Sequence, residues 1–206
     1  MENLSEKHGY PTARSRLRFL QIRLAANPVV AAYADIVKAL RIDLITAEEK
    51  VEEAEIQKLV ALAQHRYEDL VANAHTAEAV RILLNDCKGD RDAPDFKKVV
   101  PFAPSQGTRP TGGSLQAAYI RGIIANGRAL PNPSAEFLAA LDTLEATQQR
   151  MDAAQAQIEA TTRAAGLARV ERDLEQERIY GDYNQLYFQL NQALPHQKDL
   201  VDSFFA

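Results

Sequence analysis

The chain has 206 residues, 46% hydrophobic and 25% charged, with a formal net charge of −4. These proportions fit an ordinary globular protein and argue against nucleic-acid binding by the molecule as a whole. The single cysteine, Cys87, excludes an internal disulfide and a cysteine-based zinc site, and no apolar run approaches the ~18 residues of a membrane span.

The opening Met1-Glu2-Asn3-Leu4-Ser5-Glu6 lacks an apolar signal core, so a cytoplasmic location is the expectation. Residues 1–11 read as disordered or extended. Thr12 caps a short helix to Ala26, with Leu17, Leu20 and Leu24 on one face. Asn27-Pro28 then introduces a stretch, Val29 to Lys88, with no glycine or proline, and Gly89 offers a left-handed stop. Residues 89–113 hold Pro94, Pro101, Pro104 and Pro110 with Gly107, Gly112 and Gly113, which reads as a loop. Ser114 caps a second short helix, ended by Asn126-Gly127. Asn132-Pro133 opens a second long helix, broken only by Gly166 and Gly181 and stopped after Leu194 by Pro195. Residues 195–206 form a tail. If continuous, each long helix spans ~90 Å at about 1.5 Å per residue.

The order of short helix, Asn-Pro, long helix and loop therefore occurs twice, once in 12–88 and once in 114–194. Asn27-Pro28 matches Asn132-Pro133, Leu84-Asn85 matches Leu190-Asn191, and the lines Tyr33, Val37, Leu40 and Phe137, Leu141, Leu144 correspond. This reads as an internal duplication.

Heptad stripes set the expected pairing. Val30, Tyr33, Val37, Leu40, Leu44, Ala47, Val51 and Ala54 keep alternating spacings of three and four, as in a coiled-coil seam. The apolar line then shifts to Val60, Ala63, Tyr67, Leu70, Ala74 and Ala77. In the second helix Phe137, Leu141, Leu144, Gln148, Met151, Gln155, Ile158, Thr162 and Ala165 run in phase before Leu167, Val170 and Leu174 take over. An antiparallel pair sets both shifts at one height. It also sets the acidic cluster Glu48, Glu49, Glu52, Glu53 and Glu55 opposite Arg163, Arg169 and Arg172, whereas a parallel pair sets it against Asp152 and Glu159. The expected fold is all-α: two long antiparallel helices forming a coiled-coil rod, with a short helix packed at each end. The competing picture breaks the helices near Glu55 and Gly166 and collapses them into a compact bundle.

Candidate chemistry is sparse. His65, Glu68, His75 and Glu78 form two His-x-x-Glu pairs, but ten residues rotate one pair away from the other, and a solvated polar face explains them better than a metal site. Arg14, Arg16, Arg18 and Arg23 make the first helix basic. They are suited either to anion binding, with Leu17, Leu20 and Leu24 inserting into a membrane surface, or to solvent while those leucines dock internally. Gly107-Thr108-Arg109-Pro110-Thr111-Gly112-Gly113-Ser114 lacks the Gly-Lys-Ser/Thr ending of a P-loop and no strand precedes it, so it reads as a flexible loop. Cys87, at a helix C-terminus, is poorly placed for a thiolate. No nucleophile–base or paired-carboxylate arrangement stands out.

The reading is thus a non-enzymatic, elongated helical structural or adaptor protein without cofactor or metal, acting through protein partners in an assembly and forming a homo-oligomer. Ile56, Leu59 and Val60, in a stretch apolar nearly all round, are the expected self-association belt. Tyr180, Tyr183 and Tyr187 are expected either to meet partners or to fill an end bundle. The alternative is a nucleic-acid or anionic-membrane-surface binder using the basic first helix.

Overall fold

The computed structural model describes residues 9–101 and 113–206. Residues 1–8 and the glycine-containing stretch 102–112 lie outside the described residues, and with them the expected N-terminal disorder and most of the candidate anion loop. The fold is all-helical. The described residues form six helices and no strand: α1 (Tyr10–Ala25), α2 (Ala32–Asp86), α3 (Pro94–Val99), α4 (Gly113–Arg128), α5 (Ala135–Ala193) and α6 (Lys198–Phe205). α2 passes Glu55, and α5 passes Gly166, without a break. Two compact units divide the chain: Met1–Gln57 with Thr162–Ala206, and Lys58–Thr161.

In the first unit α1 and α6 pack on the start of α2 and the end of α5. Ala13, Leu17, Leu20 and Leu24 recur at helical spacing and are fully buried against Val37, Leu44, Ile179, Tyr183 and Leu190. The leucines of α1 therefore dock internally. α1 begins at Tyr10, ahead of the expected Thr12 cap, because Pro11 in the first turn has no amide to leave unbonded. Asn27 does not cap α2 as its Asn-Pro pairing implies. The Val30 amide bonds the Asn27 carbonyl (3.1 Å) and the Val29 amide bonds the Asn27 side chain (3.1 Å). Pro28 thus sits at the second position of a β-turn, and helix starts only at Ala32. Along the pair, Arg178 bonds Asp43 at 2.7 Å, Arg172 lies 3.6 Å from Glu48, and Arg169 bonds Glu55. Rising numbers on α2 meet falling numbers on α5, so the helices run antiparallel here, with the acidic cluster facing arginines as the charge pattern predicts.

The tail contains an unforeseen helix. Pro195 stops α5, His196 takes a left-handed φ of 68°, and α6 returns to bury Val201, Phe204 and Phe205. Phe205 meets the rings of Tyr183 and Tyr187 edge-on, at centroid distances of 5.2 and 5.4 Å.

In the second unit α3 and α4 pack on the end of α2 and the start of α5. α2 stops as expected at a left-handed pair, Lys88 (φ 55°) and Gly89 (φ 79°), with the Gly89 amide on the Leu84 carbonyl at 2.8 Å. Segment 89–113 is not loop throughout: Pro94 starts α3, Asp95 and Lys97-Lys98 suit its two ends, and Phe96 and Val99 enter the core. α5 is capped by Ser134 rather than Asn132, since the Phe137 amide bonds Ser134 Oγ at 3.1 Å. Nor does Gly127 end α4. A side chain there would meet Leu141 Cδ1 at 2.8 Å and Phe137 Cε1 at 3.0 Å, so the glycine permits close packing on α5. Ser134 Oγ donates to Asp86 at 2.6 Å, Arg150 bonds Glu68 at 3.1 Å, and Thr147 lies 2.8 Å from His75, so these segments also run antiparallel.

Candidate functional site

The helix pair leaves one face of α2 uncovered in the second unit. Ala61, Glu68, Ala72, Thr76 and Ala79 are buried, while Leu59 (63% exposed), Val60 (57%), Tyr67 (61%) and Leu70 (68%) are open to solvent. Ala63, Ala74 and Ala77 are exposed as well. At 3.6 residues per turn, Val60, Ala63, Tyr67, Leu70, Ala74 and Ala77 fall on one line, opposite the buried one. The expected displaced seam is thus not a seam within the chain. The inward line keeps its phase but carries small and polar residues, so the stronger apolar signal belongs to the outside. The same holds for Leu167, Val170 and Leu174 on α5 in the first unit, all more than half exposed, whereas Ala165 and Ile179 are buried. Of the expected self-association belt, Ile56 is 45% exposed, alongside the more open Leu59 and Val60.

Polar residues fill the inward line of the second unit as a connected set. Gln64 Nε2 donates to Glu68 Oε1 (2.8 Å) and Arg150 Nε to Glu68 Oε2 (3.1 Å). Thr147 Oγ1 donates to the Thr143 carbonyl (2.9 Å) and accepts from Arg150 Nη2 (3.0 Å). With the only hydroxyl proton so placed, the 2.8 Å contact to His75 requires the imidazole to donate from Nδ1. Glu68 and His75 therefore join the two helices, while Glu78 pairs with Arg81 at 2.6 Å on the surface. Among the described residues no three His, Cys, Asp or Glu side chains are grouped so as to hold a metal ion.

The end tyrosines are placed otherwise than a partner surface needs. Tyr180 and Tyr183 are buried in the first unit's core, with Phe205 of α6 against the Tyr183 ring; Tyr187 is half-buried, its hydroxyl donating to Asp202 at 2.7 Å. Of the two placements expected for them, burial puts Tyr180 and Tyr183 in the end bundle. Burial holds the Tyr183 hydroxyl above the usual tyrosine range, partly opposed by Arg16.

Arg14 and Arg18 are exposed on α1, Arg16 and Arg23 half-buried. Leu17, Leu20 and Leu24 are unavailable for membrane insertion, being core; the apolar side chains on the outer face are instead Phe19 (58% exposed) and Ile22 (60%). Sequence reasoning passed over these two, although both stand between the arginines. A cavity of about 540 Å³ beside α1 is lined by Ser15, Arg16, Phe19, Tyr183, Asp202 and Phe204, among others. Burial, then the carboxylates of Asp95 and Asp86, push the Cys87 thiol up, away from the nucleophilic thiolate.

No helix among the described residues is long and apolar enough to cross a membrane. No family model, curated protein or solved structure matches this chain.

Proposed function

We propose that this protein is a non-enzymatic structural or adaptor component that works through protein contacts, and that the outer face of α2 binds a second copy of the chain. The observation that carries this reading is the exposed apolar line Val60, Ala63, Tyr67, Leu70, Ala74 and Ala77, with Leu59 beside it. Spacings of three and four in strict alternation are what a partner helix reads in a coiled-coil seam. That alternation is the same in either chain direction, so two copies can lie antiparallel about a two-fold axis with Tyr67 of one against Leu70 of the other. Arg66, which flanks the line, then lies near Asn73 of the second copy instead of a second Arg66. Contiguous exposed apolar area of this kind marks an interaction surface.

The inward line is proposed as the intrachain coiled-coil seam on the same spacing. Internal duplication is supported by element order: helices of 16, 55 and 6 residues are followed by helices of 16, 59 and 8. Sedimentation equilibrium tests self-association. A mass above the 22.8 kDa of one chain, rising with concentration, is expected; a monomer at all concentrations overturns the reading.

A further inference from the structure

α1 turns a mixed face to solvent. Its rotation is fixed by Ala13, Leu17, Leu20 and Leu24, all fully buried. At 3.6 residues per turn, Phe19 and Ile22 then occupy the middle of the outward face, with Arg14 and Arg18 on one side and Arg16 and Arg23 on the other. The Arg23 guanidinium lies 5.4 Å from the Phe19 ring centroid and donates to the Ser203 and Ala206 carbonyls, so it is held within the chain. No acidic residue occurs from Tyr10 to Ala26, although the chain as a whole carries a net −4. Among the described residues no ion pair engages Arg14 or Arg18.

We propose that this face docks on an anionic lipid surface, with Phe19 and Ile22 at the headgroup–acyl boundary and the exposed Arg14 and Arg18 guanidiniums on lipid headgroup oxygens. Charge complementarity selects the partner's sign: Arg14 and Arg18, exposed on a short helix without an acidic residue, attract a negative surface. The two apolar side chains select lipid over nucleic acid, because phosphate-backbone binding draws on cations alone and leaves Phe19 and Ile22 facing water. Two side chains give reversible attachment, not insertion. This surface stands independently of the self-association of α2.

Co-sedimentation with vesicles tests it. Binding is expected to phosphatidylcholine vesicles containing phosphatidylglycerol, weakening as salt rises, and not to phosphatidylcholine alone. The double variant Arg14→Gln/Arg18→Gln is expected to lose about thirty-fold in partitioning. Phe19→Ser/Ile22→Ser is expected to lose about ten-fold or more with its helical circular dichroism unchanged. All four side chains lie outside the core, so both variants keep the fold. Absence of binding to the anionic vesicles at low salt overturns the proposal. So does parental binding by Phe19→Ser/Ile22→Ser, which would reduce the surface to a general polyanion site, with a DNA duplex then competing as well as lipid.

Discussion

One substitution, glycine to alanine, is predicted to have opposite signs at two positions of α4. At Gly122 an added Cβ meets nothing within 4 Å, so the variant gains only the helix propensity of alanine, about 0.5–1 kcal/mol. At Gly127 the same methyl meets Leu141 Cδ1 at 2.8 Å and Phe137 Cε1 at 3.0 Å. Both partners are fully buried, so accommodating the methyl requires them to shift within the packed core. Overpacking of this kind costs about 1–3 kcal/mol, and the propensity gain near a helix end offsets less than ~1 of it. The two variants are therefore expected to differ by about 2 kcal/mol. With a urea m-value of ~2 kcal/mol/M, their midpoints then separate by about 1 M, Gly122→Ala above the parent and Gly127→Ala below it. Urea titration followed by circular dichroism measures this directly. Midpoints that move in the same direction, or in the reverse order, refute the close packing of α4 on α5.

Arg150→Met is expected to destabilise the second unit by about 1–3 kcal/mol, since the nearly buried Glu68 carboxylate keeps only the Gln64 amide; chemical denaturation checks it, and a neutral result contradicts the buried network. Tyr183, raised by burial, favours its neutral form in the fold, so its contribution is complete below the unfolded value of about 10 and is lost as pH climbs through the folded one. An ultraviolet titration showing every tyrosine ionising together near the ordinary value contradicts that. Cys87 is expected to react with iodoacetamide more slowly than a free cysteine at mildly alkaline pH, because burial and Asp95 disfavour its thiolate; equal rates argue against the placement.

Helices and their direction were legible in the sequence because the signals are local. Long stretches without glycine or proline specify helix, and the clustered glutamates and arginines specify which way two such helices pair. Contacts at Arg172–Glu48 and Arg169–Glu55 follow that charge logic. The boundaries were less legible, since an Asn-Pro pair suits a turn as well as a helix cap and a nearby serine can cap instead: a β-turn absorbs Asn27, and Ser134 takes the second cap. Hydrophobicity alone misassigned the seam. Where the inward line is Ala61, Glu68, Ala72 and Thr76, the outward residues Tyr67 and Leu70 are the more apolar, and only packing distinguishes a seam within the chain from a face left open. Packing also decided the tyrosines, because α6 follows a proline in a segment too short to announce itself as helix.

The most direct test of the proposed role compares the solution mass of the parent with that of Tyr67→Glu/Leu70→Glu at matched concentration and helicity. These side chains are 61% and 68% exposed in the single chain, so covering each in a dimer contributes about 1–2 kcal/mol, counted once per copy. Their loss weakens a two-fold assembly by at least ~4 kcal/mol, about a thousand-fold in Kd. An assembled parent and a 22.8 kDa variant are the expected result; equal masses for the two proteins contradict the assignment of this face to a second copy.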